Sequence, residues 1–307
     1  MAGKSVRLRL RPYSRWATDK IETARKKPWP ACDPAAERRR LVAVTVNFNT
    51  VDVTRQMLYS IFSSGVIADL DEVVVVDNAS KDGSVDYLRV LHDRGLVTLV
   101  ENRWPPYHGP GINRAMSYLA SRDDACATEY VWILDSDVVV LRRDALTAAA
   151  AFAREKGLAF VGEKRLDDCL SLYSLLIDPR RFWARSLPVF REHGLPSNRL
   201  QQAVTAAGGT RRPFPFSRQH YLLHLGSGTM QAIQSKGLTR NPYIHWMDAE
   251  KDRDAPTRYS FADDERATQL YAEFLASFDA DARALSPAEF ATLLDRLRRQ
   301  WRDTGPQ

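Results

Sequence analysis

Three short β-branched runs, each ending abruptly in amide or carboxylate side chains, restrict this chain more than any other feature. Residues 42–46 (VAVTV) run into Asn47-Phe48-Asn49-Thr50, residues 72–76 (EVVVV) into Asp77-Asn78, and residues 130–134 (YVWIL) into Asp135-Ser136-Asp137. Between them lie segments of helical period. Leu58, Ile61 and Phe62 precede Gly65, and Val85, Leu88 and Leu91 precede Gly95; a further strand at 97–100 ends at Asn102. A Pro- and Gly-rich loop, Trp104 to Gly111, then leads to a helix from Asn113 with Ala115, Met116 and Leu119 on one face. Strands alternating with amphipathic helices build βαβ units. The expected class is therefore α/β, a mainly parallel sheet flanked by helices.

The second half is less regular. Strands are expected at 158–162 and 172–177, and a helix at 196–207 finished by Gly208-Gly209. A polar loop follows over 247–266, then two C-terminal helices, 268–278 and 287–301; Phe290, Leu293, Leu294 and Leu297 share one face of the second. That helix is expected to cover the body.

Charge is unevenly placed. Residues 1–40 carry twelve Lys/Arg against Asp19, Glu22, Asp33 and Glu37, a net +8, whereas the whole chain is +6, so the remaining 267 residues sum to −2. A basic body of the kind that tracks nucleic acid is excluded, and no nucleic-acid partner is expected. The basic arm, with Tyr13, Trp16 and Trp29 among its cations, suits an anionic membrane surface or a partner; the alternative is a solvated extension packing loosely on the body. No apolar stretch is long enough for a membrane span and no signal sequence is readable, which points to a cytoplasmic protein, peripheral to the membrane if the arm binds there. Cys32, Cys126 and Cys169 are an odd, scattered count with no metal-ligand spacing, and are read as reduced fillers.

In an open α/β sheet, ligands bind outside the carboxyl ends of the strands. Four consecutive strands deliver Asn47 and Asn49, Asp77 and Asn78, Asn102, and Asp135 and Asp137 to that edge. Asp77 alone is equally well read as an Asx-type turn residue. The Asp135-Ser136-Asp137 triplet is sharper: one carboxylate meets a ribose hydroxyl, and the other holds a hard divalent cation that neutralises a diphosphate. An isolated triplet of this kind is commonly a solvated turn. Its position after an apolar strand distinguishes it.

The runs VAVTVNFNT, EVVVVDNASKDGS, VTLVENRWPPYHGPGINRAM and EYVWILDSDVVVL resemble, in order and spacing over residues 41–145, the nucleotide-sugar-binding half of family 2 glycosyltransferases, which have the Rossmann-like GT-A fold. The resemblance is strongest to the rhamnosyltransferase-like group, although Trp104, Pro105 and Pro106 replace its usual small residues. It implies that Asn47 and Asn49 border the base pocket, that Asp77, beside Asn78, pairs with the nucleobase or ribose, and that Asn102 and Asn113 lie near the nucleotide. Asp135 then touches the ribose and Asp137 coordinates Mn²⁺ or Mg²⁺. His224 resembles a metal-binding histidine of the family, with His220 and His245 as competitors. On this reading residues 1–40 are the arm, 41–145 the donor half, 146–246 the acceptor half and 247–307 a loop with a C-terminal helical extension.

The family's general base is an Asp at the start of a helix, and here the corresponding slot holds Ser197-Asn198. Glu192 or His193 from a shifted loop, or Asp178, are the alternatives, as is a reaction without a base; Glu192 is taken as the base beside Asp135 and Asp137. The reaction implied is inverting transfer from a nucleoside-diphosphate sugar of the UDP or dTDP type to an acceptor that the sequence does not identify. A nucleotidyltransferase or a dinucleotide-dependent oxidoreductase would need a Gly-rich turn after the first strand, and NFNTVDVTR contains no glycine. A non-catalytic sugar-nucleotide or partner-binding module is the rival from another class, and the nucleotidyltransferase stays as an alternative that the missing glycine counts against.

Overall fold

Strand β1 (Arg40–Asn47) is buried at every position after the first, as a continuous apolar run must be when strands flank it and helices cover both faces. It pairs in parallel with β2 (Glu72–Asp77) and β4 (Thr128–Asp135), and β2 pairs in parallel with β3 (Thr98–Glu101). The full seven-stranded order is β3-β2-β1-β4-β7-β6-β8. Strand β7 (Leu170–Ile177) runs antiparallel to β4 and to β6 (Phe160–Lys164), and β8 (Arg211–Pro213) is parallel to β6 at the edge. This computed structural model describes residues 17–33, 35–103, 107–165, 168–191, 196–225 and 264–303.

Strand alternation divides the core in two. Val42, Val44, Val46, Val74, Val76, Val131 and Ile133 face Ile112, Ala115, Met116 and Leu119 of helix α4 (His108–Leu119). On the other face, Ala43, Val73, Val75, Trp132 and Leu134 pack against helices α2 (Val51–Ser63), α3 (Ser84–Asp93) and α5 (Ala145–Glu155). The C-terminal helices α8 (Glu265–Asp281) and α9 (Pro287–Asp303) cover this second face. Phe290, Leu293 and Leu294 of α9 are buried there, and its Trp301 lies so close to Gly65 that an added Cβ would sit 2.8 Å from the indole. Gly65 also has φ +87°, so two independent constraints select glycine.

Several expectations change. Helix α4 begins at His108, not Asn113, because Pro110 falls in the first turn, where a missing N–H costs nothing. A three-residue strand, β5 (Val138–Val140), follows Asp137 and pairs antiparallel with β9 (Leu222–His224). Glu265 and Arg266, read as loop, open α8; residues 226–263 lie outside the described residues. No described helix is long and apolar enough to cross a membrane.

The arm is not a loose extension over its described part. Residues 17–25 are helical (α1). Beyond them Lys26 Nζ donates to the Ala184 and Leu187 carbonyls at 2.6 and 2.9 Å, and Trp183 Nε1 donates to the Lys27 carbonyl at 2.8 Å. Residues 1–16, including Tyr13 and Trp16, lie outside the described residues. Two of the three cysteines are not reduced fillers either: Cys32 and Cys126 form a disulfide across 94 residues, and Cys169 is a buried thiol outside it. Local spacing cannot reveal such a pairing, because it arises only when the N-terminal segment crosses the body.

Candidate metal centre

Asp135 is the last residue of β4, at the centre of the polar edge, and Asp137 follows after one residue. Strand β5 then pairs with β9 in a register that sets Val138 opposite His224. This ribbon brings a histidine from far along the chain onto the acidic pair. His224 Nε2 lies 3.3 Å from Asp137 Oδ1 and 3.8 Å from Asp135 Oδ2. The Leu225 N–H donates to the Asp137 carbonyl at 2.9 Å, locking the turn. Behind the ribbon, Val139 and Leu223 are fully buried against Ala267, Tyr271 and Phe274 of α8.

One donor atom from each of Asp135, Asp137 and His224 lies within 4.8 Å of the others. Two carboxylates and an imidazole at these separations fit a small divalent cation, with oxygen-rich coordination and one borderline nitrogen. Burial pushes the Asp135 carboxyl above its ordinary value; His108 opposes this, Asp137 reinforces it, and His224 opposes it. Two acids so close in a partly desolvated edge repel one another, and a cation relieves that repulsion.

Two side chains that sequence reading left out support this centre. His108 Nε2 lies 3.3 Å from Asp135 Oδ1. The Tyr173 ring of β7 stacks on His224 with centroids 4.3 Å apart and planes 8° from parallel. Tyr173 Oη in turn lies 2.8 Å from Ser217 Oγ, and the Ser217 N–H donates to the buried Glu163 carboxylate at 2.8 Å. Burial raises Glu163 above the usual carboxylate range. His108 was hidden in a Pro/Gly run that reads as loop, and Tyr173 in a strand that reads as core.

The remaining strand-exit residues are brought together, chiefly onto one another. Asn47 Nδ2 donates to Asp77 Oδ1 at 2.7 Å, while Asn47 Oδ1 accepts from the Thr50 and Thr54 hydroxyls. Asp77 Oδ2 accepts from the Ser80 N–H at 2.9 Å, which is the turn role anticipated as an alternative for it. Asn102 Nδ2 donates to Asn78 Oδ1, and Asn78 Nδ2 to the Tyr107 carbonyl, at 2.7 and 3.0 Å. Asn49 adopts φ +54° and accepts from the Lys81 N–H, a conformation that asparagine tolerates. Asn113 is occupied at both ends of its amide: it donates to the Phe190 carbonyl and accepts from the Phe190 N–H, so it clamps that segment. A cavity of about 500 Å³ opens beside Asn102, lined also by Arg25, Glu101, Arg103 and Arg114. Buried Glu22 of α1 holds Arg114 at 3.2 Å, and Arg114 Nε donates to Asn102 Oδ1 at 3.3 Å.

Among the candidate bases, Asp178 is at the wrong end of the sheet. It follows Ile177, which pairs with Val131 near the start of β4, caps the one-turn helix α6 (Pro179–Phe182), and is gripped by Arg38 at 2.7 and 3.3 Å. Ser197 stands at the N-cap position of helix α7 (Asn198–Ala206), buried, with its hydroxyl accepting from Gln201 Nε2 and not from a helix N–H. Glu192, His193 and His245 lie outside the described residues. His220 faces Asp264 at 3.0 Å, not the acidic pair.

A family model described as "Glycosyl transferase family 2" matches residues 42–209. Among solved structures, a mannosyltransferase from Pyrobaculum calidifontis in complex with GDP-Man and Mn²⁺ is 18% identical, with 97% of this chain and 93% of that chain covered and a TM-score of 0.48. Glucosyl-3-phosphoglycerate synthase from Mycobacterium tuberculosis, with Mn²⁺, UDP and phosphoglyceric acid, is 16% identical over 64% of this chain and 77% of that chain, TM-score 0.45. TarS 1-349 from S. aureus is 17% identical over 86% and 88%, TM-score 0.42. No curated protein matches the chain in sequence.

Proposed function

The chain belongs to glycosyl transferase family 2, and we propose that it is an inverting, divalent-cation-dependent enzyme using a nucleoside-diphosphate sugar of the UDP or dTDP type. The observation that carries this reading is the convergence of Asp135, Asp137 and His224 at the end of β4. Asp137 and His224 hold the cation, and Asp135 completes the set while lying nearest the expected ribose. The imidazole favours Mn²⁺ over Mg²⁺, whose preference is for oxygen alone. Bound there, the cation supplies positive charge to a departing diphosphate, the kind of preorganised electrostatic stabilisation that contributes most in a water-poor site.

Inversion requires a single displacement. The acceptor oxygen forms its bond to the anomeric carbon as the bond from that carbon to the diphosphate oxygen breaks, and the acceptor proton passes to a base. Glu192 is the proposed base. The reading is supported by its neighbour Arg191, whose carbonyl lies against Gly109, the residue after His108; a Cβ on Gly109 would sit 1.7 Å from that oxygen. The acceptor is bound on the side of residues 146–246. A membrane-surface role belongs to the segment 1–16. Placement in the cytoplasm requires that the Cys32–Cys126 bond be protected there, since cytosolic thiols are kept reduced.

The test is release of nucleoside diphosphate from UDP- and dTDP-sugars with Mn²⁺ and with chelator. Release should depend on Mn²⁺ and fall by roughly 100-fold or more in Asp137→Asn, the scale of losing one preorganised electrostatic contact or more, while the melting temperature holds. Release that ignores both the chelator and the Asp137→Asn exchange overturns the metal-dependent reading. Nucleotide binding without any release favours the non-catalytic module instead.

A further inference from the structure

We propose that His108 is a positioning residue of this centre, engaging one oxygen of Asp135 so that the other is presented to the cation; the inference rests on the metal-dependent reading above. The two oxygens of Asp135 face different partners. Oδ1 is buried, and the polar group that faces it is His108, whose Nε2 lies 3.3 Å away in an ion-pair contact. Oδ2 is the oxygen turned toward His224, at 3.8 Å. His108 is not among the donor atoms that lie mutually within 4.8 Å, so it acts through Asp135 and not on the cation itself.

The backbone that carries His108 is unusually constrained. The Tyr107 carbonyl accepts from Asn78 Nδ2 at 3.0 Å and from the Gly111 N–H at 2.9 Å. A Cβ on Gly109 would meet the Arg191 carbonyl at 1.7 Å, and one on Gly111 would meet Val46 Cγ1 at 2.7 Å. The first turn of α4 is thus wedged between the β1 exit and the 190–191 segment. Yet the imidazole it holds is 34% exposed at the side chain, too open to be explained by filling the core. What that ring does is oppose a carboxylate that has a second carboxylate two residues away. Without it, Asp135 is free to turn its charge away from Asp137, and the cation loses an oriented oxygen. Groups that orient metal-ligating carboxylates contribute about 10–100-fold in metal affinity.

The experiment titrates the full-length protein with Mn²⁺ and reads free ion by electron paramagnetic resonance, so no turnover is needed. Wild type, Asp137→Asn, His108→Phe and His108→Gln are compared, with melting temperatures alongside; His108→Ala replaces the Phe variant if the larger ring lowers the melting temperature. The Phe exchange keeps a ring and removes the nitrogens, and Gln keeps an N–H donor. Expected are a dissociation constant raised about 10–100-fold for Phe and near the wild-type value for Gln. Equal affinity in wild type and the Phe variant, or equal weakening by Phe and Gln, overturns the role of His108 while leaving the metal site standing. A wild type that binds no Mn²⁺ sensitive to Asp137→Asn overturns the metal-dependent reading and this inference together.

Discussion

Tyr173 and His224 stack face to face, 4.3 Å between centroids and 8° between planes, though one lies on the main sheet and the other on the two-stranded ribbon. The contact joins the two sheets at the point where the acidic pair sits. It leaves His224 Nε2 pointing at Asp137 and Asp135, and the stacked ring restricts rotation of the imidazole from behind. Ser217 holds the far end of Tyr173.

Exchanging Tyr173 for Phe keeps the stack and removes only the hydroxyl. Stability should fall by about 0.5–1.5 kcal/mol for the lost hydrogen bond, with Mn²⁺ affinity nearly unchanged. Exchanging it for Ala removes the ring, and affinity should fall about tenfold or more. Paired Mn²⁺ titrations and melting curves check this; a Phe variant that binds as weakly as Ala would show that the hydroxyl, not the ring, fixes His224.

Legibility in the sequence followed the range of the interactions. The parallel strands were readable because each is an apolar run with a polar stop, and Asp135 and Asp137 stood out because nothing in core packing calls for acids at such a stop. The amides were harder. Their positions at the edge were evident, but whether Asn47 or Asn102 faces a ligand or a neighbouring side chain depends on contacts such as Asn47 with Asp77, made between strands 30 residues apart. His108 was missed because proline and glycine mark loops as readily as first turns. The ribbon was missed because β5 has three residues, too short to show a period.

Lys26 provides a pH test of the N-terminal segment. Burial lowers its ammonium to about 8, against ~10.4 in an unfolded chain. Between those values the unfolded state holds the extra proton, so this group's contribution to stability rises with pH across that window and is least favourable below it. The stability of wild type relative to Lys26→Met should therefore increase from about pH 7 to about pH 10, measured by denaturant unfolding. A difference that is flat or declining over that range contradicts the buried placement of the ammonium under Ala184 and Leu187.

The Cys32–Cys126 disulfide closes a large loop and ties the N-terminal segment to the entrance of β4. Reduction should lower stability by about 2–4 kcal/mol, chiefly through the freed unfolded chain. The native fold should persist, because Lys26, Trp183 and Glu22 still dock the segment. Melting with and without reductant checks this. Cys126→Ser should match the reduced wild type and be insensitive to reductant; an unreduced wild type that melts with that variant removes the disulfide from the account.

Gly109 offers the sharpest steric test, since its neighbour there is backbone. An alanine Cβ would lie 1.7 Å from the Arg191 carbonyl oxygen, so one of the two backbones must yield. Asn113 ties them together through both the N–H and the carbonyl of Phe190. The substitution must therefore either push residues 190–191 away from α4, or tilt the first turn of α4 and carry His108 off Asp135. A cost of about 1–3 kcal/mol is expected from overpacking. The two displacements are separable: a tilt weakens Mn²⁺ binding as His108→Phe does, whereas a moved 190–191 segment leaves Mn²⁺ affinity intact and lowers transfer to the acceptor. An alanine variant with unaltered stability, Mn²⁺ affinity and transfer would show that the close approach of Gly109 to Arg191 is absent in solution.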